Sequence, residues 1–345
     1  MRVSRLCVGI FFLAGLALLG LMVWQVGLSD LLESFRAVGF WLLPFILLES
    51  LPMLVHTLAW AACFSTGQQS VGLWQLSLVR LAGSTINQVT PTATIGGEVV
   101  KVLLLAPVVR HEQATASVVI DKASYTLAQI GYLALGTLYV TSRLPLPAEL
   151  QWGLACTLSL IFVGLIGFIL FQRYGLLSRC LYHLERLPIG RARLQRLQPS
   201  IVALEAQFAA YYTAHRWRFM ASLGLHGLAF VLGSIQTWCL LKLLLASQAP
   251  SLTDALAVSV VVMALDQAFF FVPGSLGTLE GVRFTVLSTL GVAQVYGLAF
   301  GLIIRLQQLF WNGVGLLAYA WCSRAAPPVR GASPATSPLP PTITR

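Results

Sequence analysis

Apolar residues along this chain gather into long uninterrupted runs, at about 6–26, 40–62, 114–140, 150–172, 219–245 and 293–322. Each run is near or above the roughly 20 residues that an α-helix needs to cross the hydrocarbon of a bilayer. Two further apolar regions, 71–106 and 254–290, are interrupted near their middles. The first break reads Asn87-Gln88-Val89-Thr90-Pro91-Thr92-Ala93-Thr94-Ile95-Gly96-Gly97-Glu98, and the second Phe271-Val272-Pro273-Gly274-Ser275-Leu276-Gly277-Thr278-Leu279-Glu280. Proline and glycine stop a helix there and free backbone groups that lipid cannot satisfy, so such segments persist only inside protein or beside a watery cavity. Each region therefore predicts a re-entrant helical hairpin, the first entering from the cytoplasm and the second from outside. A pair of short full crossings is the alternative for each, but several arms fall below the ~17-residue minimum. The expected fold is an all-α polytopic membrane protein with about six full transmembrane helices and two re-entrant hairpins.

Composition supports this expectation. Apolar residues make up 57% of the chain and charged residues 10%, against roughly 45–50% and about 25% in soluble domains. A mean hydropathy of +0.80 spread over several runs makes lipid the solvent for most of the surface. Residues Met1-Arg2-Val3-Ser4-Arg5 and the run 6–26 resemble a secretory signal, but the run exceeds the roughly 7–15 residues of such a segment and no Ala-x-Ala-like site follows, so a retained first helix is expected.

The net charge of +10 is informative through its location. Arg173, Arg179, Arg186, Arg191, Arg193, Arg196, Arg216 and Arg218 crowd into residues 173–218, opposed only by Glu185 and Glu205. Basic loops between apolar spans mark the cytoplasmic side. Six crossings then place both termini and the 173–218 loop in the cytoplasm, leaving Arg36 and Arg143 as the only basic residues in the outside loops 27–39, 141–149 and 246–253. Topology and anionic lipid headgroups account for the basic excess, and no nucleic-acid partner is expected. Pro188 and Pro199 should break the loop into interfacial helices over the headgroups. Residues 325–345, with six prolines among 21 residues, read as a disordered tail following a membrane domain at 1–324.

The interruptions repeat. Pro91-x6-Glu98-x2-Lys101 and Pro273-x6-Glu280-x2-Arg283 share one pattern, separated throughout by 182 positions. The same separation carries 40–62 onto 222–244 and 114–140 onto 296–322, so the repeat units are about 40–140 and 219–322. The preceding spans run in opposite directions in this topology, which makes the units inverted, the arrangement in which transporters place a site between broken helices near the midplane.

Charges inside spanning segments are costly and usually face an interior or a cavity. They define the candidate substrate-binding residues Glu98, Lys101, Asp121, Lys122, Glu280, Arg283 and Arg305, with Asp266 beside them, and the hairpin breaks Asn87, Pro91, Gly96, Gly97, Pro273, Gly274 and Gly277. Glu98 and Glu280 should each begin a half-helix, where the dipole favours an acid, and pair at i,i+3 with Lys101 and Arg283. That role could be purely structural, or the same groups could meet a polar headgroup. Asp121 and Lys122 could likewise form a structural ion pair to neighbouring helices. Arg305 falls beside their repeat-equivalent positions, 303 and 304. Arg80 is expected to snorkel to the cytoplasmic surface, and Asn87 and Gln88 to satisfy carbonyls freed at Pro91. Trp24, Trp41, Trp60, Trp152, Trp217 and Trp321, near span ends, read as an aromatic belt.

The six cysteines and five histidines are dispersed, with no pattern for a metal, a disulfide framework, a catalytic triad or a phosphate loop. No cofactor and no ATP-driven step are expected.

On Asn87-x3-Pro91 leading to Gly96-Gly97-Glu98-x2-Lys101, the Asp121-Lys122 helix, and Val272-Pro273-Gly274-x2-Gly277-x2-Glu280-Gly281, the chain resembles the flippase-like family named after the transmembrane region of lysylphosphatidylglycerol synthase. The resemblance covers roughly residues 6–322. It implies a bacterial inner-membrane protein that moves or handles an amphiphilic lipid, aminoacylated phosphatidylglycerol in some members and hopanoid- or envelope-linked lipids in others. The synthases carry a soluble aminoacyl-transfer domain after the membrane region, whereas this chain continues into a Pro-rich tail, so that activity is not carried over. A lipid translocase is the leading expectation. The alternatives are a membrane-embedded transferase using Glu98, Asp121 or Glu280 as general base, or a scaffold that recruits lipid-synthesis enzymes through the basic loop.

Overall fold

The computed structural model of the chain describes residues 28–64, 71–89, 95–143, 191–245, 250–268, 278–289 and 291–325, with scattered helical positions between 152 and 170. The expected span 6–26, most of 150–172, nearly all of the tail, and the breaks Pro91, Pro273, Gly274 and Gly277 lie outside the described residues. Every described element is helical, giving an all-α fold. In chain order these are α1 (Leu28–Val38), a 3-10 turn (Gly39–Trp41), α2 (Leu42–Leu48), α3 (Ser50–Ala61), α4 (Leu73–Val89), α5 (Gly96–Leu105), α6 (His111–Arg143), α7 (Arg191–Ala214), α8 (Arg216–Leu245), α9 (Leu252–Ala268), α10 (Thr278–Thr289) and α11 (Gln294–Ala325).

Residues 27–39, expected as a loop, are largely helix α1. Leu28, Leu32, Phe35 and Val38 recur at helical spacing, and the last two pack into the core. Gly39, at φ +48°, takes the left-handed conformation that glycine tolerates and turns the chain out of α1. The run 40–62 is not one helix either. Pro52 has no N–H to offer the carbonyl of Leu48, so α2 and α3 part at Glu49.

Helices α4 and α5, from the first interrupted region, pack against each other, as do α9 and α10 from the second. Helix α4 also lies along α11, while α9 lies along α6, and α3 packs on α8. Among the described residues the larger apolar clusters are two. One joins Leu240, Val258, Leu287, Leu298 and Ile303 of α8 to α11, and the other joins Trp60, Leu76, Leu105, Ile120 and Tyr211 of α3 to α7.

The distribution of polarity is reversed from that of a water-soluble bundle. Leu135 and Leu138 on α6, and Leu309 and Leu317 on α11, point outward, while Lys101, Asp121, His226, Glu280 and Arg283 are buried. Leu28–Ala61 and Arg216–Leu245 are long and apolar enough to cross a membrane, at hydropathies of 1.9 and 1.8.

Three expectations are corrected. Pro199 does not end α7, which continues through it. The C-terminal turns of α7 dock on the protein, burying Phe208 and Tyr211, with Tyr211 Oη donating to the Ala62 carbonyl at 3.0 Å. Arg218 donates to the same carbonyl at 3.2 Å, so this basic-loop residue caps the end of α3. Trp60 is not part of an aromatic belt: it is 0% exposed, whereas Trp41, Trp217 and Trp321 are exposed.

Candidate functional site

Helices α4 and α5 meet at a contact of backbone on backbone. A Cβ on Gly97 of α5 would run into the carbonyl oxygen of Gly83 on α4 and lie 2.6 Å from Asn87 Cγ, so only glycine permits this crossing. Asn87 then bridges the two arms. Its Oδ1 accepts from the Gly97 N–H at 2.6 Å and its Nδ2 faces Glu98 Oε1 at 3.4 Å. Asn87 therefore serves an orphan amide at the start of α5. Gln88 Oε1 instead accepts from Asn312 Nδ2 of α11 at 2.9 Å.

Glu98 lies in the first turn of α5 and gathers both predicted lysines. Lys101 Nζ donates to Oε2 at 2.9 Å, and Lys122 Nζ approaches Oε1 at 3.9 Å from α6. Each ammonium also sits over a ring, Lys101 over Trp60 at 5.5 Å and Lys122 over Tyr125 at 5.6 Å.

Asp121 faces a different set. Arg80 of α4 donates Nη1 to both of its oxygens, at 3.2 and 3.0 Å, so Arg80 turns inward rather than to the cytoplasmic surface. His226 of α8 brings Nε2 to 3.2 Å from Oδ1. The other ring nitrogen of His226, Nδ1, lies 2.8 Å from Nδ1 of His56 on α3. Nearby, Ser124 and Ser222 hydrogen-bond at 2.8 Å across α6 and α8.

In the second half, Glu280 occupies the first turn of α10 and is completely buried. An ion pair runs from it to Arg305 of α11, Nε to Oε1 at 2.6 Å. Gly301 of α11 makes room, with the site of its Cβ 3.3 Å from Glu280 Cα. Arg283, one turn further along α10, faces a cavity instead.

That cavity has a volume of about 400 Å³ and lies between helices of both halves. Amides and hydroxyls dominate its polar wall, including Gln129, Gln236, Gln307, Tyr125 and Tyr132, and two charged residues join them, Glu49 and Arg283. Of the predicted substrate-contacting residues, Arg283 lines the cavity, and Glu98, Lys101, Asp121, Lys122, Glu280 and Arg305 do not. Asp266 lies near the end of α9, and its side chain is outside what the structure describes.

Glu49 and the histidine pair were missed from the sequence. An acid in the middle of the run 40–62, three residues before a proline, is a signal that could have found Glu49. Nothing local could have paired His56 with His226, 170 positions apart.

Apolar outer faces around an interior of ion pairs define a helical membrane protein. The chain belongs to the lysylphosphatidylglycerol synthase TM region family, whose model it matches over residues 6–315. That membership associates it with membrane lipid metabolism. No curated protein and no solved structure matches the chain.

Proposed function

We propose that this protein moves an amphiphilic lipid across a bacterial inner membrane, with the headgroup passing through the cavity between the halves while the acyl chains stay in lipid. The observation that carries this reading is the cavity itself, about 400 Å³ of space lined by both polar and apolar side chains inside an apolar exterior, within the ~300–1,000 Å³ of small-molecule sites. Arg283 meets the phosphate and Glu49 an amino or hydroxyl group, and the amides grade the path between them.

The arrangement proposed is an inverted repeat of two re-entrant hairpins among six crossings, with both termini cytoplasmic. Matched packing supports it: α4 with α11 answers α9 with α6, and α5, starting at Gly96, answers α10, starting at Thr278. The buried ion pairs stiffen the wall, and the glycine contact sets the hairpin angle. The family's membrane region supports lipid as the cargo. A general-base role for Glu98, Asp121 or Glu280 is disfavoured, because each is held by a lysine or arginine.

Reconstituted vesicles carrying a headgroup-labelled phospholipid test the reading through quenching of the outer leaflet. Arg283→Gln and Glu49→Gln should each slow transbilayer movement by roughly tenfold or more, the loss of a charge-assisted hydrogen bond of about 1.5–3 kcal/mol. Unchanged movement in both folded variants would refute the cavity path.

A further inference from the structure

The histidine pair has a chemical property that the proposed path does not use. Two imidazole nitrogens facing each other at 2.8 Å must share one hydrogen, because two N–H groups would repel and two lone pairs would leave both unsatisfied. His226 Nε2, at 3.2 Å from a carboxylate oxygen, is a donor. In the neutral pair His226 Nδ1 is therefore the acceptor and His56 Nδ1 the donor. His56 Nε2 is left with its lone pair, and His56 stands in the cavity wall while His226 is fully buried.

We propose that His56 and His226 form a proton-binding site that connects the cavity to Asp121 and exchanges a proton for the grip of Arg80. The steps balance as one proton gained and none lost. His56 Nε2 takes a proton from the cavity, and the shared hydrogen crosses from His56 Nδ1 to His226 Nδ1. The positive charge then resides on His226, whose Nε2–H points at Asp121 Oδ1. Charge thus moves inward by one ring without any heavy atom travelling.

Rings shield the transfer. Tyr125 packs on both imidazoles, at 5.3 and 5.4 Å between centroids, and Phe230 packs on His56 at 5.4 Å. The charged and titratable groups facing the pair are Arg80 from α4, Lys101 from α5, and Asp121 and Tyr125 from α6. Two are cations, and Asp121 is the carboxylate that offsets them. When His226 becomes an imidazolium, two cations claim Asp121 Oδ1, which Arg80 already approaches at 3.2 Å. The hold of Arg80 on Asp121 weakens, and with it the tie between α4, an arm of the first hairpin, and α6. Acid on the cavity side thereby loosens the wall next to the proposed path. The coupling to lipid movement rests on the translocase reading, whereas the proton site does not.

Two measurements separate those claims. In detergent-solubilised full-length protein with ¹⁵N-labelled histidine, the shared hydrogen should give a downfield proton resonance coupled to two ring nitrogens. It should disappear in both His56→Gln and His226→Gln, and an acid step should drive the uptake of about one fewer proton per molecule in each variant than in the parent. Absence of the shared resonance in the parent, or equal uptake in parent and variants, overturns the site; the parent spectrum decides even if a variant fails to fold. In vesicles, a pH difference of about one unit should change the rate of lipid movement by up to about tenfold in the parent and leave the rate in His56→Gln unchanged. Parent movement indifferent to the gradient overturns the coupling. A parent that moves no lipid under any condition overturns the translocase reading, and the resonance and uptake still decide the proton site.

Discussion

Replacing Arg305 by Met should remove an ion pair from Glu280, which is 0% exposed at the start of α10. At an Nε–Oε1 separation of 2.6 Å, the attraction at an effective dielectric near 20 is about 6 kcal/mol, much of which offsets the desolvation of the two groups. Removing one partner leaves that cost uncompensated, so Arg305→Met should destabilise by about 3–5 kcal/mol. Glu280→Leu with Arg305→Met removes both charges at similar volume, and should sit within about 1 kcal/mol of the parent or above it. Equilibrium unfolding in mixed micelles, read by far-ultraviolet circular dichroism, measures all four corners of the cycle. A double variant as unstable as the sum of the single ones would refute the reasoning, because it would show that Glu280 does not depend on Arg305.

Three further outcomes test the packing. Gly97→Ala should destabilise by about 1–3 kcal/mol, because its Cβ meets the Gly83 carbonyl, while Gly224→Ala, with open space around it, should gain about 0.5–1 kcal/mol of helix propensity; equal melting temperatures would refute the contact. Asn87→Ala should cost about 1 kcal/mol by exposing the Gly97 amide, seen as faster hydrogen exchange at the start of α5; unchanged exchange at Gly97 and Glu98 would sink that assignment. Arg218→Met should cost about 0.5–1.5 kcal/mol and speed exchange in the last turn of α3, and protection equal to the parent's would deny it the capping role.

Much of the fold was legible in the sequence because its signals are local. The runs 114–140, 219–245 and 293–322 fall almost wholly within α6, α8 and α11, since apolar length is a property of consecutive residues. Helices α5 and α10 begin at Gly96 and Thr278, next to the two interruptions read from the sequence. Residues 27–39 were misread because a short amphipathic helix carries polar residues that resemble a loop. Membership in a membrane family linked to lipid metabolism was also present in motifs of adjacent residues.

By itself, then, the sequence determined that the chain is helical and belongs to a membrane family. Only the tertiary structure decided which charges meet. The i,i+3 spacing predicts Glu98 with Lys101 and Glu280 with Arg283 alike, yet Glu98 takes Lys101 at 2.9 Å while Glu280 takes Arg305 from the next helix at 2.6 Å. Partner choice depends on how each helix is rotated against its neighbour, a quantity set by distant packing such as the Gly301 contact with Glu280. The same rotation buries Trp60, turns Arg80 to Asp121 and brings His56 to His226. Hydrogen bonds and ion pairs act over a few ångströms, so chemistry assembled from four helices becomes visible only when those helices are packed.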